Sequence, residues 1–254
     1  MKIKWIVGGL LWASSYLQAA AQEYKLWYDE PAQVWTEALP LGNGRLGAMV
    51  FGNPGVEHIQ LNEETIWAGR PNNNANPNAL EYIPKVRQLV FEGKYLEAQT
   101  LATEKIMAKT NSGMPYQSFG DLHISFPGHT RYSDYYRELS LDSARTIVRY
   151  KVDGVTYQRE TLTSFADQVV MVRLTASQPG KITCNTNLTT PHQDVMVSTE
   201  GEEVTLSGVS SWHEGLKGKV EFQGRMTARS QGGTQACRDG VLSIEGADEA
   251  GIYI

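Results

Sequence analysis

The sequence is 254 residues long, 41% hydrophobic and 20% charged, with 23 basic against 28 acidic side chains and a formal charge of −5. An acidic chain without a basic block excludes nucleic acid and an anionic membrane as natural partners. The length suits one large all-β domain or two small ones, and it is enough to bury a full core.

The first predicted element is a leader. In MKIKWIVGGLLWASSYLQAAAQ, Lys2 and Lys4 form a charged start, Ile6 to Leu17 is a short apolar run, and Ala19-Ala20-Ala21 suits signal-peptide cleavage. This predicts a signal peptide over residues 1–21, a mature start at Gln22, and export to the periplasm or the extracellular space. The apolar run is too short to span a membrane and no second one follows. The cleavage site carries no cysteine for a lipid anchor. Loss of the leader removes two lysines and no acid, which takes the charge from −5 to −7.

Beyond the leader most of the chain alternates apolar and polar residues, the period of half-buried strands. EHIQLNE alternates through Ile59 and Leu61. LEYIPKVRQLVFEGKYLEAQTLATEKIMA breaks the pattern with helical spacing: Val86, Leu89 and Val90 form a stripe that Leu96, Leu101 and Ile106 continue. Gly93 divides it into two helices, and Pro84 fits the first turn of the first. DLHISF alternates again through Leu122, Ile124 and Phe126. In RTIVRYKVDGVTYQRETL, Thr146, Val148, Tyr150 and Val152 share a face and Asp153-Gly154 signals a two-residue hairpin. QVVMVRLTAS reads as a central strand, and further hairpins turn at Glu200-Gly201 and Asp239-Gly240. Closely spaced strands with glycine turns predict an all-β fold, a large antiparallel β-sandwich of supersandwich-like type, with a short inserted helical pair near residues 80–108. The last residues, VLSIEGADEAGIYI, end on alternating apolar positions, so residues 22–254 read as one domain truncated before a further region. Cys184 faces the same way as Ile182 and Leu188 and reads as a buried free thiol. A bond to Cys237 stays open, because sequence does not fix the distance it requires.

GNGRLG, residues 42–47, matches the glycine pattern of a dinucleotide loop, and Glu63 and Glu64 follow at the spacing of a ribose-binding acid. The context argues otherwise. Pro40 lies two residues before Gly42, and Gly52, Pro54 and Gly55 leave no room for the helix whose N-terminus would hold phosphate. The glycines therefore serve a tight turn or a close backbone approach.

The five histidines, at 58, 123, 129, 192 and 213, have no zinc-ligand spacing, and His58 and His123 sit on polar strand faces. They read as structural or solvated, with no metal site and no cofactor motif. An esterase G-x-S-x-G is absent. Glu63, Glu64, Asp121 and Asp134 are candidates for a glycosidase carboxylate pair whose separation the sequence does not give. The aromatic signal is local: Trp67 stands beside Asn62, Glu63, Glu64 and Arg70, a flat face with amide, carboxylate and guanidinium groups suited to sugar hydroxyls. Asn62, Glu63, Trp67 and Arg70 are thus candidates for sugar binding or for packing on a neighbouring domain, with packing favoured for Trp67.

LWYDEPAQVWTEALPLGNGRLGAMVFGNPGVEHIQLNEETIWAGRP, IPKVRQLVFEGKYLEAQTLA, PYQSFGDLHISF and YYRELSLDSARTIVRY, in this order, resemble the amino-terminal domain of glycoside hydrolase family 95. That family comprises α-L-fucosidases with some α-L-galactosidases. The resemblance implies a β-sandwich with a helical insertion, set before a linker and an (α/α)6 helical barrel that would be its intramolecular partner. It implies an exported parent enzyme that removes terminal α-linked L-fucose from fucosylated oligosaccharides or polysaccharides by inverting hydrolysis, without metal or organic cofactor. The family's general-acid Glu, and the Asp and Asn residues that hold the attacking water, belong to the barrel. No segment here matches their motifs, so no catalytic residue is assigned to this chain and the chain alone is expected to be inactive. The alternatives are a carbohydrate-binding module acting on its own, a parent α-L-galactosidase, and a self-sufficient β-sandwich glycosidase, which the resemblance argues against.

Overall fold

A computed structural model describes residues 23–108 and 113–254; the expected leader lies outside the described residues. The chain runs through β1 (Lys25–Tyr28), a 3-10 turn (Trp35–Glu37), β2 (Leu39–Gly42), β3 (Leu46–Val50) and β4 (Val56–Glu63). Helices α1 (Ala79–Phe91) and α2 (Tyr95–Lys105) are inserted before β5 (Gly120–Ser125). Then follow β6 (Ser133–Ser140), β7 (Arg145–Val152), β8 (Val155–Thr163), β9 (Val170–Ala176), β10 (Ile182–Thr189) and β11 (Val195–Glu200). The last are β12 (Glu203–Val209), β13 (Glu221–Gln231), β14 (Thr234–Arg238), β15 (Val241–Ala247) and β16 (Glu249–Tyr253). They form a nine-stranded sheet in the order β1-β6-β7-β8-β9-β16-β13-β12-β11 and a seven-stranded sheet in the order β14-β15-β10-β5-β4-β3-β2. Neighbouring strands are antiparallel throughout, and the fold is an all-β sandwich.

The alternating residues do what their period demands. Thr146, Val148, Tyr150 and Val152 of β7 are buried, as are Leu122 and Ile124 of β5 and Ile59 and Leu61 of β4. Asp153 and Gly154 both have positive φ, 47° and 78°, and Asp239 and Gly240 repeat this at 51° and 77°. A two-residue turn with both φ positive has the twist of the strands it joins. The third hairpin turns one residue later than its sequence suggests, because Glu200 still pairs with Glu203. β9 is central, between β8 and β16, and β16 is itself paired on both sides, to β9 and β13. Cys184 and Cys237 are both free, and burial pushes the Cys184 thiol up to about 12.

The helical pair departs from its sequence reading in two ways. Pro84 lies inside α1, not in its first turn, because the helix starts at Ala79. Proline's missing N–H costs a single bond to the Leu80 carbonyl, one turn from the start, where little helix precedes it to be disrupted. The apolar stripe is also narrower than its spacing suggests. Leu89 and Ala98 are buried, whereas Val90 is exposed and Leu96 is 78% exposed. The pair packs chiefly on itself.

One polar contact ties the sheets together inside the core. Arg159 of β8 lies 3.1 Å from Glu57 of β4, and both side chains are almost fully buried. Glu57 also accepts from the backbone N–H groups of Gly52 (2.7 Å) and His58 (3.1 Å). Arg159 donates to the Asn53 carbonyl (2.9 Å) and lies over the rings of Phe126 and Tyr150. Burial pushes the Glu57 carboxyl above its usual range, while Arg159 and the two N–H groups pull it back.

Candidate functional site

At one end of the sandwich β4 finishes and β3, β5 and β9 begin. The sheets part there into a cleft of about 350 Å³. Its first wall is the β2–β3 turn, built from the glycine string. Gly44 has φ +97° with open space where a Cβ would be, and Asn43 Oδ1 accepts from the N–H groups of Arg45 (3.0 Å) and Leu46 (2.7 Å). Asn43 Nδ2 donates across to the Ser164 carbonyl (2.7 Å) in the segment between β8 and β9. The string is a hairpin loop followed by a strand. It offers no helix N-terminus to a phosphate, and its asparagine joins the two sheets.

Arg45 continues the bridge. Its Nε donates to Gln168 Oε1 (2.8 Å), and its Nη1 lies 3.5 Å from Glu63 Oε1. Glu63 accepts from the Thr65 N–H (2.8 Å) and hydroxyl (2.6 Å) through its other oxygen. The floor includes Leu61, Phe119 and Val170. The Phe119 ring occupies the place a Cβ on Gly224 would take, so only glycine at 224 allows it. Gln223, Arg225 and Tyr253 come from the nine-stranded sheet. Amides, guanidinium groups and aromatic faces around one small cleft can hold a polyhydroxylated molecule or a polar loop of another domain. Among the described residues the lining contains one acidic side chain, Glu63, whereas glycoside hydrolysis canonically uses two carboxyl groups flanking the scissile bond.

The structure divides the sequence candidates. Asn62 and Glu63 line this cleft; Trp67 and Arg70 do not. Trp67 is 45% exposed, donates its ring N–H to the Glu64 carbonyl (3.0 Å) and meets Tyr116 edge to face at 5.5 Å. Tyr116 in turn donates to the Glu63 carbonyl (3.0 Å), so the aromatic pair buttresses the strand end that carries Glu63. Its hydroxyl is held above the usual range by burial and by Glu63 and Glu64. Arg70 is exposed. The four candidate carboxylates are scattered. Glu63 is in the cleft, Glu64 is exposed, Asp134 pairs with Lys151 (2.7 Å), and Asp121 sits on the outer face of the seven-stranded sheet, 2.6 Å from His58 Nε2. Sequence reasoning missed Arg45, Gln168, Gln223, Arg225 and Tyr253 as cleft residues. They come from four distant segments, and only Arg45, inside the glycine string, carried a local signal.

The histidines also separate. His129 is buried, 2.9 Å from the Tyr150 hydroxyl, and burial, then Arg159, holds its pKa below the usual value. His192 is buried between Ser211 Oγ (3.0 Å) and the Ser118 carbonyl (2.9 Å). Both are structural. His58, Asp121 and His123 do come together, with one potential ligand atom from each within 4.8 Å of the others. Linear spacing held no sign of this, because the residues meet across strands.

The family model for the glycosyl hydrolase family 65 N-terminal domain matches residues 26–254. Alpha-L-fucosidase 2 of Arabidopsis thaliana is 39% identical over 171 residues, covering 65% of this chain and 20% of that protein. A protein described as probable alpha-fucosidase A, from Aspergillus niger, is 31% identical over 196 residues, covering 72% of this chain and 24% of that protein. Its Aspergillus oryzae counterpart is 28% identical over 170 residues, covering 63% and 23%. The chain spans a fifth to a quarter of the length of these relatives.

Proposed function

The chain belongs to the family of glycosyl hydrolase family 65 N-terminal domains, and from that premise we propose that it is the non-catalytic amino-terminal domain of an exported, family 95-type α-L-fucosidase. The parent enzyme would remove terminal α-linked L-fucose with inversion, its catalytic groups lying in a helical barrel outside this chain. The observation that carries the reading is the pairing of fucosidase relatives with a cleft that holds one carboxylate. An inverting glycosidase needs a proton donor on one face of the sugar and a water-activating carboxylate about 6.5–9.5 Å away on the other. The cleft supplies amides and guanidinium groups instead, which suit holding and bracing. Its place in the parent would be against the barrel, with Arg45, Glu63 and Arg225 as contacts.

Release of fucose from a 2'-fucosylated oligosaccharide tests this. The 254-residue chain is expected to release none. The same chain extended by its own downstream coding sequence is expected to release fucose, and NMR should show the inverted anomer first. Turnover by the chain alone, abolished by Glu63→Gln, would overturn the assignment. Export is tested separately by intact mass: protein recovered from an exported fraction should begin near Gln22, and retention of Met1 there would defeat it.

A further inference from the structure

The outer face of the seven-stranded sheet carries a cluster that the proposed function does not use. His58 of β4 stands directly opposite His123 of β5 in the antiparallel register. Asp121 precedes His123 by two residues, so the pleat puts all three side chains on one face. His58 Nε2 is 2.6 Å from Asp121 Oδ1. The two imidazole rings stack at 5.1 Å and 16°, and Phe51 of the chain following β3 stacks on His58 at 4.3 Å and 21°. Thr189 Oγ1, on β10, lies 3.2 Å from His123 Nε2. The rings are thus aligned by their neighbours, while the side chains of His58 and Asp121 keep 33% and 24% of their surface open to solvent.

We propose that His58, Asp121 and His123 form a binding site for a divalent cation of the zinc class, which clips β4 to β5. Two imidazole nitrogens and a carboxylate oxygen are a ligand set that zinc accepts, with water in the fourth, solvent-facing position. Metal–ligand bonds of about 2.0–2.2 Å in a tetrahedron set ligand atoms roughly 3.3–3.6 Å apart. The present separations are 2.6 Å for His58 to Asp121 and no more than 4.8 Å for any pair of the three. The strand register already holds the three residues together, and closing the site requires the two imidazoles to turn out of their present stack. Calcium and magnesium require oxygen-rich shells and are excluded by the two imidazoles. The carboxylate offsets one of the two positive charges. The ion binds the unprotonated nitrogen of each imidazole and takes the place of the direct His58–Asp121 contact.

The test is titration of the EDTA-treated 254-residue chain at neutral pH, with Zn2+ by calorimetry and with Co2+ by visible absorption. The expected result is one saturable site of micromolar affinity, with Co2+ showing the bands of four-coordinate geometry and Ca2+ failing to compete. His58→Gln and His123→Gln should each weaken Zn2+ binding at least about tenfold. Asp121→Asn, which keeps the side-chain shape, should do the same, and His213→Gln should change nothing. Melting of each variant without metal reports its folding independently of the site. Absence of saturable Zn2+ binding by the folded wild-type chain, or wild-type affinity in folded His123→Gln, would overturn the proposal.

Discussion

At the scale of single residues, the Glu57–Arg159 pair is the most exposed to mutation. Both partners are buried, and two nitrogens of Arg159, Nε and Nη1, have no hydrogen-bond partner among the described residues. Glu57→Ala therefore strands a buried cation and also removes the acceptor for the Gly52 and His58 N–H groups. The expected loss is about 3–5 kcal/mol in urea unfolding. The double change Glu57→Leu with Arg159→Met should cost much less, since apolar replacement of a buried pair is often close to neutral. His129 gives a pH dependence whose sign follows from its burial. Its folded pKa lies below the ordinary 6.5. On acidification the unfolded chain binds the proton first, so this contribution is intact above the ordinary value and is lost as pH falls through it toward the folded one. The slope from this residue is at most about 1.4 kcal/mol per pH unit. Urea midpoints measured from neutral to mildly acidic pH should fall, and fall less steeply in His129→Phe. An equal slope in both proteins would show that other groups carry the effect.

At the scale of elements, the hairpins and the helical pair obey different rules. Asp153-Gly154 and Asp239-Gly240 are legible because turn chemistry is local: positive φ at both positions selects those residues. The end of α1 is equally local. Gly93, at φ +74°, closes it with bonds from the Lys94 N–H to the Leu89 carbonyl (2.9 Å) and from the Gly93 N–H to the Val90 carbonyl (3.1 Å). A Cβ at Gly93 would meet nothing within 4 Å, so Gly93→Ala is penalised by conformation alone, by about 1–2 kcal/mol. Hydrogen exchange should locate that loss in α1 and α2, with the strands protected as before; a uniform loss of protection across the sheets would contradict a separately packed helical pair. The start of α1 and the width of its stripe were not legible. Proline tolerates several N-terminal positions, and exposed Leu96 has the same spacing signature as a buried leucine.

At the scale of the whole molecule, the sandwich carries aromatic surface outside its core, including Trp27, Trp35, Trp67 and Trp212, each about half exposed. Large exposed aromatics are anchors for another protein surface or for sugar rings. For Trp67 the two uses give different results. Its ring N–H is committed to the Glu64 carbonyl and its edge-to-face contact to Tyr116. We expect a packing role: calorimetric titration with fucosylated oligosaccharides should give the same heats for wild type and Trp67→Ala. A sub-millimolar signal that the mutation abolishes would instead establish a carbohydrate-binding module. Among the described residues no helix is long and apolar enough to cross a membrane.

The sequence by itself determined the fold class, the strand faces, the two Asp-Gly hairpins and the existence of the helical insertion, because period, turn chemistry and capping act over a few residues. It also argued against GNGRLG as a phosphate loop, since Pro40 and the Gly52–Gly55 breaks sit beside it. Tertiary structure alone decided which residues share a site. The cleft joins Arg45, Glu63, Gln168 and Arg225 across two sheets, and the outer-face cluster joins His58 to Asp121 and His123 across two strands. Trp67 was drawn to Glu63 by sequence proximity, yet it stands outside the cleft that Glu63 lines. The physical reason is the pairing of distant strands. An antiparallel ladder makes neighbours of residues about sixty positions apart, and its register is set by the burial of a whole face, which no local stretch of sequence records.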